Sequence, residues 1–90
     1  MHKLIIPEYP LCKVINVNRF YPGYFHWIEV NFPEFLEKYS WRKNFPPSGT
    51  KIYEVLGIAN HGMGNSLLAL LLDRDADLLI IIEEDSIQYI

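Results

Sequence analysis

Apolar runs of strand length dominate the second half of this chain. Lys51–Asn60 is rich in Ile, Val and Tyr, Leu78–Glu83 carries three consecutive isoleucines, and Ile87–Ile90 alternates apolar and polar side chains. Such β-branched and aromatic runs, bounded by turn residues, predict strands. Ser66–Leu72 is apolar throughout: its Leu and Ala content favours a helix, its place between two turn signals favours a strand. Those turn signals are the loop His61-Gly62-Met63-Gly64-Asn65 and the acidic turn Asp73-Arg74-Asp75-Ala76-Asp77.

The first half is built differently. All six prolines fall at or before residue 47, and each removes a backbone donor and fixes φ, which predicts short pieces joined by turns. Lys13–Phe20 reads as a strand in which Ile15 and Val17 alternate with Asn16 and Asn18. A turn at Tyr21-Pro22-Gly23 follows, and Tyr24–Val30 reads as extended, with Tyr24, His26 and Ile28 on one side and Phe25 and Trp27 on the other. Asn31–Ser40 is the predicted helix, its body at residues 32–40. Phe32, Phe35, Leu36 and Tyr39 form one stripe, Pro33 suits the first turn, and Glu34 and Lys38 pair four residues apart. Two turns do not survive alone, so this helix is expected to cap a core made elsewhere, with Trp27, Phe35 and Leu36 in it. About five strands and one helix predict a mostly β protein of the α+β class, a small barrel or curled antiparallel sheet, in a single domain over 1–90.

The order GTKIYEVLGIANHG, LLALLL, DRDAD, LLIIIEEDSIQYI resembles the strand, loop, hairpin and terminal-strand succession of SH3-like barrels. It covers residues 48–90, and the stretch is also similar to small open reading frames of bacteria and their phages. The resemblance implies a small β-barrel and a phage or mobile-element setting. It carries over no functional residue, and the aromatic peptide groove of SH3 domains has no counterpart in the matching stretch.

Ninety residues leave room for one core. The apolar runs are shorter than the ~20 residues that cross a bilayer, and the start, MHKLIIPEYP, lacks the pattern of a signal peptide. One cysteine, Cys12, makes no internal disulfide, which points to a cytoplasmic protein held by its core. The net charge of −3 is unevenly spread: residues 1–52 carry seven basic and four acidic side chains, a net +3, and residues 53–90 one basic and seven acidic, a net −6. The two halves either attract each other across the surface or present separate charged faces.

Three patterns carry candidate chemistry. Acidic residues at Asp73, Asp75, Asp77 and Glu84 have the spacing of a calcium-binding loop, but Leu78 stands where the sharp turn needs glycine, so tight calcium binding is not expected. His61 and Asn65, around two glycines, either form a plain turn or let the backbone approach a small ligand or phosphate. His2, His26, His61 and Cys12 show no zinc spacing, no base stands beside Cys12, and no cofactor is implied. Tyr24, Trp27, Trp41 and Arg42 interleave aromatic and basic side chains, which serve as core, as a protein interface or as a platform for single-stranded nucleic acid.

With no acid–base pair or activated nucleophile to assemble, the expectation is a non-enzymatic adaptor or inhibitor that occludes a protein partner. Its candidate binding residues are Tyr24, Trp27, Trp41, Arg42, His61 and Asn65. The alternatives are a small-ligand or nucleotide sequestering protein with a pocket between subunits, and an acidic mimic of nucleic acid using Asp73–Asp85. Nucleic acid and membrane are not expected partners. A homodimer is, because Leu67–Leu72 and Leu78–Ile82 are apolar on both strand faces and one short helix covers too little.

Overall fold

The computed structural model describes residues 4–8, 10–16, 24–41, 47–60 and 67–90. Among them are seven strands and two short helices. In chain order they are β1 (Leu4–Ile5), β2 (Leu11–Val14), α1 (Tyr24–Asn31), α2 (Pro33–Lys38), β3 (Ser40–Trp41), β4 (Ile52–Asn60), β5 (Leu67–Asp73), β6 (Leu78–Glu83) and β7 (Ile87–Tyr89). A 3₁₀ turn at Glu84–Ser86 joins β6 to β7. The fold is mostly β, with the ambiguous run after residue 66 resolved as strand β5.

The strands form one sheet in the order β3-β6-β5-β4-β2-β7, and β1 shares the edge of β4 with β2. Two expectations are corrected here. β3 runs parallel to β6, so the sheet is mixed rather than antiparallel, and its end strands β3 and β7 do not pair, so it is open rather than a barrel.

A third correction concerns Tyr24–Val30, which is the helix α1 and not an extended segment. Phe25 and Ile28 are its buried residues, three apart, and only a helix turns that spacing to one side. The Asn31 side chain closes the helix by donating to the Trp27 carbonyl at 2.9 Å. The predicted second helix shortens to α2, with Pro33 in its first turn as expected. Phe35 and Leu36 are half-buried on the rim of the core, and Phe32, just before α2, is the fully buried ring of this region.

The register separates two cores, one on each face of the sheet. Inside the curl, Cys12, Val14, Tyr53, Val55, Ile58, Ala69, Leu71, Ile80, Ile82 and Ile87 pack together, all supplied by strands. On the outer face, Ala59, Leu68, Leu70, Leu79 and Ile81 lie beneath Phe25, Ile28 and Phe32. Both faces of β5 and β6 are therefore covered within one chain, by α1 and the Phe32 region outside and by β2 and β7 inside. The apolar surface that motivated a homodimer is used up internally.

A bulge keeps β4 in step with both cores. The ladder to β5 shifts between Val55 and Gly57, so Leu56 turns to the helix side while Tyr53, Val55 and Ile58 stay inside. Leu4 of β1 lies directly over Gly57, where a Cβ would overlap its side chain. Glycine is needed there for this close approach.

β2 starts earlier than expected and with the opposite parity. Cys12 and Val14 face inward, and Ile15, expected on the apolar side of the strand, is 61% exposed. Shifting a strand by one residue exchanges its faces, and here that exchange places Leu11, Lys13 and Ile15 outside.

Candidate functional site

The sequence singled out six residues, and the structure describes three of them. Tyr24 and Trp27 lie on α1 and Trp41 on β3, all half-buried in the helix-side core. Trp41 stacks on Phe25 with centroids 5.3 Å apart, Trp27 tilts against Phe32 at 5.7 Å, and the Tyr24 hydroxyl donates to Glu83 at 2.7 Å. These aromatics fasten the helices to the sheet. Arg42, His61 and Asn65 lie outside the described residues, as does the glycine loop around His61.

The acidic turn is built around Asp73, whose side chain is only 4% exposed. Its Oδ1 accepts the N–H groups of Asp75 (3.1 Å) and Ala76 (3.3 Å), and its Oδ2 accepts Lys51 Nζ at 3.0 Å. Asp77 closes the hairpin at φ 52°, a left-handed conformation that aspartate tolerates. Asp73 is thus the cap of its own turn, and its oxygens are engaged by donors. Among the described residues no group of three His, Cys, Asp or Glu side chains is placed to hold a metal ion.

Burial pushes the Asp73 carboxyl up, but the Lys51 hydrogen bond and charge and the two backbone donors outweigh it and hold it below its ordinary 3.8. A depressed carboxylate stabilises the fold above its unfolded value and loses that contribution as pH falls through the folded one. Wild type is therefore expected to exceed Asp73→Asn in urea midpoint at about pH 6, with the gap closing toward about pH 2. A gap that does not change with pH would show that Asp73 does not carry its charge into this turn. The same pair raises Lys51 above 10.5, so its contribution persists to alkaline pH and fades only above that value.

The remaining acidic side chains are dispersed. Glu54 accepts Arg74 Nε at 2.6 Å, Glu83 takes Tyr24, and Glu84 takes the Tyr89 hydroxyl at 3.2 Å. The Asp73–Asp77 turn and Glu83–Asp85 stand at opposite ends of β6, about 17 Å apart at strand rise. Cys12 is fully buried, and desolvation lifts its thiol to about 11, which keeps it protonated and unreactive.

The uncovered part of the outer face is where the structure gathers side chains that its own core does not use. The helices cover β4 from Leu56 upward together with β5 and β6, and leave β2, the start of β4, and β7 uncovered. The register sets Lys13 beside Ile52 and Gln88, and Leu11 beside Glu54. Alternation then brings Leu11, Lys13 and Ile15 of the β2 segment, Ile52 of β4, and Gln88 and Ile90 of the β7 segment onto one side.

Four of these are large aliphatics that remain exposed: Leu11 at 44%, Ile15 at 61%, Ile52 at 56% and Ile90 at 57%. Lys13, Ile52, Gln88, Tyr89 and Ile90 line a shallow groove of about 350 Å³. Burial, then the Glu84 charge and hydrogen bond, raise the Tyr89 phenol, which packs against the inner core, to about 12.

Sequence reasoning missed this face because it began the strand at Lys13 and put Ile15 and Val17 together on its apolar side. The signal was present in Leu11-Cys12-Lys13-Val14-Ile15, where apolar residues occupy both parities. No protein-family model, curated protein or solved structure matches the chain.

Proposed function

We propose that this protein is a non-enzymatic binding module, an adaptor or inhibitor, that docks on a protein partner through the outer face of β2, β4 and β7. The observation that carries the reading is the set Leu11, Ile15, Ile52 and Ile90, side by side and exposed on the part of the sheet that the helices leave uncovered. Single exposed aliphatics are ordinary, but four on one sheet face, two of them (Ile52 and Ile90) lining a groove, are the composition of an interface centre.

The SH3-like reading of residues 48–90 extends to the succession of strands alone, since the sheet is open and not a barrel. β4, β5 and β6 form a meander, and after the short Glu84–Ser86 turn β7 returns to pair with β2. Among the described residues no helix is long and apolar enough to cross a membrane. A small-molecule ligand is the second reading, favoured by a groove volume near the lower end of the ~300–1,000 Å³ usual for such sites. Acidic mimicry has less support, because the carboxylates it needs stand at both ends of β6.

The test is affinity capture from an extract of cells that express the protein, with wild type and the double variant Ile52→Gln, Ile90→Gln as baits. Each side chain contributes ~1.5–3 kcal/mol if it is buried on binding, so the double variant is expected to lose its partner while keeping its unfolding free energy within ~0.5 kcal/mol of wild type. Val30→Gln is the control, since Val30 is 66% exposed on α1, away from this face. Equal capture by all three proteins would overturn the reading. A small molecule released from wild type alone on denaturation would favour the second reading instead.

A further inference from the structure

We propose that the partner joins as an added strand on the open edge of β7, supplied by an extended segment in which a carboxylate stands between aliphatic side chains. This rests on the protein-docking reading above and adds the mode of binding and the chemistry of the partner.

Backbone parity makes the edge available. Ile15 donates its N–H to the Ser86 carbonyl at 2.8 Å, and Ile90 donates to the Leu11 carbonyl at 3.0 Å, with Lys13 opposite Gln88 between them. The peptide groups of Ser86, Gln88 and Ile90 therefore turn toward β2. In an antiparallel ladder the intervening residues turn the other way. The Ile87 N–H is taken by the Glu84 carbonyl of the 3₁₀ turn, so the Ile87 C=O and the Tyr89 N–H and C=O are the groups directed to the outer edge. Among the described residues no strand pairs with that edge.

Edge strands are usually guarded by proline, by charge or by a bulge. Ile87-Gln88-Tyr89 has no proline and no charge, and its ladder to β2 runs without a shift in register. The opposite end of the sheet, β3, is only two residues long. The ladder from Ser86 to Ile90 thus leaves β7 as the better template for strand addition.

Charge selects the kind of strand. Lys13 projects from the outer face beside Gln88, with no carboxylate partner among the described residues. Among the described residues of that face, the acidic side chain is Glu54, and Arg74 holds it. A strand added to β7 lies two strand spacings from β2, about 10 Å, which a lysine and a glutamate side chain together span. A second copy paired antiparallel about Gln88 would bring another Lys13 and no carboxylate. The observations therefore favour a foreign strand, with aliphatic residues for Ile52 and Ile90 and an acidic one for Lys13.

The probe is the synthetic peptide acetyl-Thr-Val-Ile-Glu-Ile-Val-Thr-amide, titrated into the isotope-labelled protein and followed by NMR. The expected result is saturable binding with a downfield shift and slowed exchange of the Tyr89 amide, while the Ile87 amide, already held by Glu84, changes little. Binding should be lost when alternate peptide nitrogens are methylated. Replacing the peptide Glu by Lys should weaken binding about three- to tenfold, and Lys13→Glu in the protein should restore it.

Absence of binding at millimolar peptide would overturn the proposal. So would shifts at Leu11 and Ile52 that are insensitive to N-methylation, although that result leaves face-to-face docking, and the function proposed above, intact. The same amide changes on raising protein concentration without peptide would replace the foreign strand by a second copy. Loss of capture by the Ile52→Gln, Ile90→Gln bait tests the docking reading independently of all these outcomes.

Discussion

Replacing Phe25 with alanine is expected to cost about 3–5 kcal/mol, the range for emptying a fully buried aromatic site. Phe25 is 1% exposed, lies over the Leu68, Leu70 and Ile81 surface, and stacks on Trp41, which belongs to the β3–β6 pair. It is thus the side chain through which α1 grips both the sheet and its edge strand. A domain of this size has ~5–15 kcal/mol in all, so the loss should lower the urea midpoint severely or leave the chain partly unfolded. Val30→Ala on the same helix, at a 66% exposed position, should change stability by less than ~0.5 kcal/mol. Equal midpoints for the two variants would mean that α1 is not docked on the sheet.

Tyr53→Ala is expected to cost a similar ~3–5 kcal/mol on the other face. Tyr53 is 1% exposed, and its ring fills the inner core with Cys12, Val14 and Ile80. Its hydroxyl also accepts the Ser48 N–H at 2.7 Å, which fixes the connector that leads into β4. Tyr53→Phe separates the two contributions: the ring stays, one hydrogen bond goes, and the expected loss is about 1 kcal/mol. Measured by urea denaturation, equal losses in the two variants would put the hydroxyl rather than the ring in control. No loss in either would show that the curl does not close over this ring.

Much of the strand content was legible because its causes are local. β-branched runs at Ile52–Asn60 and Leu78–Glu83, and the acidic turn between β5 and β6, need only neighbouring residues to declare themselves. The stripe at Phe32, Phe35 and Leu36 and the place of Pro33 likewise announced α2. Cys12 stood in the sequence with no base beside it, and its raised thiol follows from desolvation in the inner core.

Helix α1 was not legible, because Tyr24–Asn31 has large or β-branched side chains at nearly every position and so fits two periods at once. Its stripe of Phe25 and Ile28, continued by Phe32, acquires meaning only when the row Leu68, Leu70, Leu79 and Ile81 needs a cover. A helix this short draws its stability from such docking rather than from propensity.

The candidate face divides the same way. Its residue types stood in the sequence as strand-formers, but the direction of Ile15 depended on which parity of β2 met the inner core. That was settled by pairing with β4 and β7, through contacts such as Lys13 with Gln88 that lie far apart along the chain. By itself the sequence determined the strands β4 and β6, the acidic turn before β6, and that both faces of β5 and β6 must be covered. Only the tertiary structure decided that the chain covers them itself and leaves Leu11, Ile15, Ile52 and Ile90 outside. The reason is that strand propensity is a property of neighbours, whereas the choice between inside and outside is made by partners that only folding brings together.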